Sequence, residues 1–164
     1  MSKRERNLLL LAGALWGFAL AVVSSALAFG DPFSLSPFLV SAYLCAALSS
    51  AAGAWVAGDL ARRTRRRETR LGRFFATLLV GIVQALVAAP LAALSIWGAL
   101  TINISGFSVE NLEEVSKVLD IFRDPLLFAQ GLVAAEAILA YSLLVGLLLS
   151  PVVGATVNRL TRPR

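Results

Sequence analysis

The sequence predicts an all-α integral membrane protein, arranged as a bundle of four transmembrane helices. Hydrophobic residues make up 58% of its 164 residues and charged residues only 15%, whereas soluble domains average about 45–50% and about 25%. The charges also cluster, and they leave four stretches in which only Glu136 is charged. Each stretch is long enough to cross a hydrocarbon core about 30 Å thick, which needs about 20 helical residues. These stretches are residues 8–29, 38–58, 74–102 and 125–157.

The first stretch has an alternative interpretation as a cleaved signal peptide. A basic start precedes the apolar run, and Ala26-Leu27-Ala28 matches a cleavage site of the A-x-A type. The apolar run from Leu8 to Val23 is longer than the usual h-region of about 7–15 residues. We therefore expect the first helix to be retained as a membrane span.

The third and fourth stretches are longer than a bilayer requires, so we expect these helices to tilt, bend or protrude. Pro90 lies in the middle of the third and Pro151 near the end of the fourth. Each proline removes a backbone hydrogen bond, which is tolerated where neighbouring helices satisfy the released carbonyl. The sequence predicts packing kinks at both sites, with a gating hinge as the alternative.

The basic residues predict the orientation of the bundle. Of the 15 Lys and Arg residues, three precede the first helix, seven lie in the loop of residues 59–73 and three lie in the tail of residues 158–164. Four helices place all three segments on one side of the membrane, and the positive-inside rule makes that side cytoplasmic. We therefore expect a multi-pass protein of the cell membrane, inner or plasma, with both termini in the cytoplasm.

The loop between the third and fourth helices, residues 103–124, is predicted to face the outer side. Apolar residues recur at helical spacing between Val109 and Phe122, with acidic residues between them, which predicts a short amphipathic helix. Ser108 is its expected N-cap. We expect this extracytoplasmic helix to lie over the mouth of the bundle or in the headgroup layer, and the alternative is a docking surface for a partner.

The cytoplasmic loop carries its arginines between Arg62 and Arg73. Each basic residue near an anionic leaflet contributes about 1 kcal/mol of attraction, so we expect this loop to contact anionic lipid. No nucleic-acid binding is expected, because the loop lacks the aromatic or groove-fitting residues that accompany such binding.

Small residues at four-residue spacing predict close helix contacts. Gly13 and Gly17 form a GxxxG pair in the first helix, and Gly53 and Gly58 lie among alanines and serines in the second. Such spacings let two helix backbones approach closely. We interpret these glycines as candidate packing residues within the bundle; the alternative leaves the Gly13/Gly17 face for a partner subunit.

Glu136 is the only ionisable carboxyl within a predicted span. A charged side chain at the bilayer centre costs at least about 2.5 kcal/mol, so Glu136 must either be protonated or meet a donor or cation. Counting along the helices places Gln84, Ser49 and Ser50 at a similar depth. The sequence thus predicts a proton, cation or polar-solute site at these four residues, with Tyr43 or Tyr141 as further candidates, or else a structural hydrogen bond between Glu136 and Gln84.

The composition argues against an enzyme. The chain contains no His and one Cys, which removes most zinc, haem and iron–sulfur sites and both Ser-His-Asp and Cys-His catalysis. We expect no catalytic residues, no metal and no cofactor. The leading hypothesis is a small accessory or scaffold subunit of a larger membrane assembly, so we expect a protein partner. The alternative is a homo-oligomeric transporter or channel that uses Glu136.

Overall fold

A computed structural model describes residues 3–29, 37–63, 70–104 and 123–161, and these residues form five helices. The helices are α1 (Lys3–Phe29), α2 (Pro37–Arg63), α3 (Arg70–Ile104), α4 (Pro125–Leu148) and α5 (Ser150–Leu160). The predicted amphipathic helix and residues 64–69 of the basic loop lie outside the described residues.

Four of the helices contain a segment long and apolar enough to cross a membrane. The segments are Lys3–Ala26, Phe38–Arg63, Leu71–Thr101 and Phe128–Leu148. The prediction of an all-α chain with four such helices is therefore confirmed.

Successive long helices run antiparallel, so their ends gather at the two ends of the bundle. Leu9 near the start of α1 lies against Gly58 near the end of α2, and Thr77 near the start of α3 lies against Gly154 of α5. We call this the terminal end, because α1 begins and α5 ends there. The opposite end, where α1 and α3 end and α2 and α4 begin, is the loop end.

The fourth predicted span is not one continuous helix. Leu149, with φ −91° and ψ 0°, separates α4 from α5. The N–H groups of Val152 and Val153 both donate to the Leu149 carbonyl, at 3.0 and 3.1 Å. Pro151 contributes to the break, because it lacks the N–H that would continue the hydrogen bonds of α4. Pro90, in contrast, lies inside the continuous helix α3.

The start of α4 is fixed by Asp124, which precedes the helix, and by Pro125, its first residue. The Leu126 N–H donates to the Asp124 side chain at 2.9 Å, and the Phe128 N–H donates to the Asp124 carbonyl at 3.0 Å. The Asp124 side chain thus satisfies an N–H group that has no backbone partner within the helix, the Asp124 carbonyl accepts the first i→i−4 hydrogen bond, and Pro125 supplies the dihedral angle of a first helical residue.

Helices α1 and α2 pack closely through glycine. At Gly13 and Gly17 an added Cβ atom would meet the backbone of α2. Gly58 makes room for the fully buried Leu9 side chain, whose Cδ1 lies 2.5 Å from the position of an added Cβ. The Gly13/Gly17 face therefore lies against α2 of the same chain.

Helix α3 contacts both α2 and α5 through glycine. An added Cβ at Gly53 of α2 would lie 2.7 Å from the backbone carbonyl oxygen of Gln84 in α3. Gly81 of α3 lies directly against the Ser150 carbonyl of α5, and Gly154 of α5 lies against the α3 backbone in the same way. Such contacts bring helix backbones together where a side chain would hold them apart.

The buried core lies towards the terminal end. Leu9 and Val80 are fully buried, and Trp16, Leu60 and Leu160 pack around the cluster. The cluster consists of Leu9, Ala57, Ala61, Val80, Val153 and Val157. These residues come from α1, α2, α3 and α5, so the bundle is closely packed at this end.

Helix α4 stands apart from α1 and α2. It packs on α3, where Trp97 meets Phe128 edge-to-face at 6.1 Å between ring centroids and Ala85 lies against Gly146. Its backbone comes close to α3 and α5 but not to the described parts of α1 or α2. No residue from Phe128 to Leu148 is buried by the described part of the chain. The arrangement leaves a space beside α4 at the loop end.

The described residues of the basic loop include an ion-pair cluster at the end of α2. Arg62 and Arg63 donate to the Asp59 carboxylate at 3.0 and 2.6 Å. All three side chains are substantially exposed, so these pairs contribute little to stability.

Candidate functional site

A cavity of about 400 Å³ lies between α1, α2, α3 and α4, in the half of the bundle towards the loop end. Each of the four helices supplies six lining residues. The lining residues of α4 are Ala137, Ile138, Tyr141, Ser142, Val145 and Gly146. The cavity exists because the α4 backbone comes close to α3 and α5 but not to the described parts of α1 or α2, and the many alanines in its lining leave the interior unfilled.

Gln84 and Ser50 form the buried polar part of this cavity. Both line it, and their relative exposures are only 4% and 5%. The Gln84 side-chain N–H donates to Ser50 Oγ at 3.1 Å, which joins α3 to α2. The structure thus brings together two of the four polar residues predicted from the sequence.

A second polar contact closes the side of the cavity between α1 and α4. Ser24 Oγ lies 2.9 Å from Tyr141 Oη, and either hydroxyl can donate. Ser24 also donates to the Leu20 carbonyl at 2.7 Å, so Tyr141 donates to Ser24 when that bond is made. This hydrogen bond joins two helices whose backbones do not approach closely.

Aromatic side chains line the cavity beside these polar groups. Tyr43 of α2 lies edge-to-face against Phe18 of α1, with 5.7 Å between ring centroids, and Tyr43 and Trp16 both face the cavity. The sequence named Tyr43 and Tyr141 as possible members of a polar site, and both line the cavity together with Gln84. The position of Trp16 in the cavity wall could not be predicted from the sequence, in which it is one aromatic residue within an apolar helix.

Ser49 lies next to Ser50 in sequence but outside the cavity lining. It is buried, and its Oγ lies 3.5 Å from Ser95 Oγ of α3. Ser95 in turn donates to the Leu91 carbonyl at 2.6 Å. Ser49 therefore contributes to the contact between α2 and α3, but not to the hydrogen bond that its neighbour Ser50 makes with Gln84.

Glu136 does not join the other predicted site residues. Ala85 lies against Gly146, and Gly146 is ten residues beyond Glu136, which corresponds to about 15 Å along the helix. Gln84 therefore lies near the level of Gly146, well towards the terminal end from Glu136. The expectation that Glu136, Gln84 and the two serines share one level is corrected accordingly.

Glu136 also points away from the cavity. At about 100° per residue, its direction on α4 is about 170° from the mean direction of the six cavity-lining residues. The side chain is exposed, and within the described residues it has no hydrogen-bond or ion-pair partner. Glu136 therefore lies on the outer surface of the bundle.

The two glycines of α4 indicate how this helix is rotated about its axis, which counting residues along the helix does not. Gly131 lies against Trp97 and Gly146 against Ala85, so both mark the side of α4 that faces α3. Glu136 is five residues from Gly131, a rotation of about 140° around the helix. Counting depth from the ends of the helices thus suggested a contact between Glu136 and Gln84 that neither the level nor the rotation of α4 allows.

Comparison with protein-family models, with curated proteins and with solved structures gave no match. The function is therefore inferred from the residues of this chain alone.

Proposed function

We propose that this chain is a non-enzymatic, multi-pass membrane protein that serves as an accessory or scaffold subunit of a larger membrane assembly. The observation that carries the proposal is Glu136, a carboxyl group exposed on the outer face of α4 without a partner among the described residues. We infer that this face of α4 is the surface that contacts the rest of the assembly.

The depth of Glu136 makes its exposure unfavourable in a bilayer. It lies eight residues from Phe128 at one end of the candidate span and twelve from Leu148 at the other, or about 12 and 18 Å. A charge at this depth costs at least about 2.5 kcal/mol when it faces lipid. A hydrogen-bond donor or a cation on a neighbouring membrane helix removes most of that cost.

The surroundings of Glu136 suit a helix contact. Ala140, one turn away, is small and exposed, and Val133 and Leu144 on the same surface are 67% and 60% exposed. Small residues let a second helix approach, and a polar group then holds the two helices in register. The partner that fits is a transmembrane helix with a donor such as Arg, Lys, Gln or Ser at this depth.

The proposed orientation follows from charge. Among the described basic residues, all except Arg123 lie at the terminal end, namely Lys3, Arg4, Arg6, Arg62, Arg63, Arg70, Arg73 and Arg159. The positive-inside rule supports a cytoplasmic location for this end and for both termini in a cell membrane. The exposed Arg63 at the end of α2, whose side chain is 78% accessible, supports contact with anionic lipid there.

The alternative is a homo-oligomeric transporter or channel in which Glu136 of several copies meets at a common axis. The outward direction of Glu136 favours such a meeting over a site within one chain. Because Gln84 lies far from Glu136 along the bundle, each copy would contribute a carboxyl group but no amide group to a ligand bound at that axis.

Site-specific photocrosslinking in the native membrane tests the proposal. A p-benzoylphenylalanine at Ala140 should give an adduct with a different membrane protein, and the same probe at Leu94, which is 62% exposed on α3, serves as the control. Glu136→Leu should abolish the Ala140 adduct and the stoichiometric co-purification of that protein in mild detergent. An adduct between two copies of this chain would favour the homo-oligomer, and a monomer without adducts would rule out both.

A further inference from the structure

The cavity beside α4 is independent of the Glu136 surface, because the two lie on opposite sides of the helix. Its volume of about 400 Å³ falls within the range of about 300–1,000 Å³ that is typical of small-molecule sites. The closely packed core around Leu9 and Val80 lies between this cavity and the terminal end. The cavity is therefore a pocket within the bundle and not a channel along its length.

The lining restricts the charge of any ligand. No Asp, Glu, Lys or Arg is among the lining residues of the described chain. Alanine and glycine supply much of the wall, and aromatic rings from Trp16, Tyr43 and Tyr141 supply broad apolar faces. A charged ligand would lose its hydration without gaining a counter-charge, so the lining favours an uncharged and largely apolar molecule.

The polar groups within the lining give the pocket one hydrogen-bonding end. Gln84 is 4% exposed and donates one N–H to Ser50 Oγ. Its carbonyl oxygen and second N–H have no further partner among the described residues, and neither does the hydroxyl of Ser142 on α4. Buried amides normally use more of their hydrogen-bonding capacity than this, so a ligand group can complete it.

The side of the pocket between α1 and α4 offers an entrance. The backbones of these helices do not approach closely, and among the described residues a hydrogen bond between Ser24 and Tyr141 spans the gap. A single hydroxyl pair is weaker than a packed helix interface, because one hydrogen bond between membrane helices contributes only about 0.6 kcal/mol. A hydrophobic molecule in the bilayer can pass this point when the pair separates.

We infer that the cavity binds an uncharged, mostly apolar small molecule. The ligand places a carbonyl, hydroxyl or amide group against Gln84 and Ser50 and its apolar body against the alanine and aromatic walls. It enters from the side, between α1 and α4. A phospholipid acyl chain would use the same apolar walls but would leave the polar end unmatched.

Binding of 1-aminoanthracene, an uncharged aromatic amine, tests this inference. The full chain in phosphatidylcholine nanodiscs should give a saturable rise in probe fluorescence. Val145→Trp fills the pocket and should abolish the signal. Leu144→Trp places the same side chain on the neighbouring position, which is 60% exposed and outside the lining, and should leave the dissociation constant unchanged. Equal binding by the two variants, or a wild-type chain without saturable binding, would overturn the inference.

The Gln84→Met variant tests the polar end and covers the case in which Val145→Trp does not fold. It keeps the side-chain length and removes the hydrogen-bonding atoms, so the dissociation constant should rise by about five- to tenfold. An unchanged constant would overturn the assignment of Gln84.

Native mass spectrometry separates the two possible sources of an apolar ligand. A co-purified phospholipid that is present in the wild type and lost in Val145→Trp would overturn the ligand class in favour of an acyl chain. Glu136→Leu should leave probe binding unchanged, because Glu136 faces away from the pocket. Loss of the assembly and loss of probe binding are thus distinguishable.

Discussion

Ser24 Oγ of α1 and Tyr141 Oη of α4 lie 2.9 Å apart, and the two residues are 117 positions apart in the chain. The backbones of the two helices do not approach closely, so the long tyrosine side chain spans the gap between α1 and α4. The contact holds α4 beside the bundle at a point where apolar packing is sparse. It also marks the weakest part of the cavity wall, since a hydroxyl pair separates more readily than a packed interface.

Tyr141→Phe should weaken the attachment of α4 without removing the ring from the cavity wall. The loss of this hydrogen bond should lower the free energy of unfolding by about 0.6 kcal/mol. Unfolding by sodium dodecyl sulfate in mixed micelles measures the change. Ser24→Ala and the double variant complete a mutant cycle, and additive effects of the two substitutions would contradict the direct contact.

Gly81→Ala should disrupt the junction between α3 and α5. An added Cβ would overlap with the Ser150 carbonyl, part of a helix backbone that cannot rotate away, so the loss of stability should be about 1–3 kcal/mol. Gly98→Ala is the matched control on the same helix, because no atom of the described residues lies within 4 Å of its added Cβ. That variant should gain up to about 1 kcal/mol from helix propensity. The same unfolding assay compares the two, and equal effects would contradict the packing at Gly81.

The distribution of charge was sufficient to predict the four apolar helices, because burying Lys, Arg, Asp or Glu in lipid is costly. It was not sufficient to predict where the fourth helix breaks. Pro90 and Pro151 have the same local chemistry, yet α3 continues through Pro90 while the chain divides at Leu149. The difference depends on tertiary packing, since α5 places Ser150 against Gly81.

The candidate site was predictable only in part. Hydropathy and depth placed Gln84 and Ser50 near each other, and the two side chains are hydrogen-bonded. Depth does not specify how a helix is rotated about its axis, and that rotation directs Glu136 outwards. The cavity itself depends on a gap between α1 and α4, and such a gap has no signature in either helix alone.

Substitution by leucine should have opposite effects on stability at Gln84, which is buried, and at Glu136, which is exposed. Gln84→Leu removes the hydrogen bond to the buried Ser50 and should lower the free energy of unfolding of the isolated chain by about 1 kcal/mol. Glu136→Leu replaces an exposed carboxyl with an apolar side chain on the outer face of α4, so the isolated chain in a bilayer should be equally or more stable. Steric trapping in bicelles measures both. A strong loss of stability in Glu136→Leu would indicate a partner within the chain.

Gly17→Ile tests whether the GxxxG pair of α1 acts within one chain. Its added Cβ would meet the Ala46 carbonyl of α2, so the variant should lose about 1–3 kcal/mol of stability from overpacking. Ala19→Ile, two positions along on an exposed part of α1, carries the same side chain and should have little effect. Unfolding in mixed micelles gives the stabilities, and light scattering in mild detergent gives the oligomeric state. An unchanged stability together with a changed oligomeric state would mean that Gly17 packs against a second subunit, because an intrachain contact must affect the folding of a single chain.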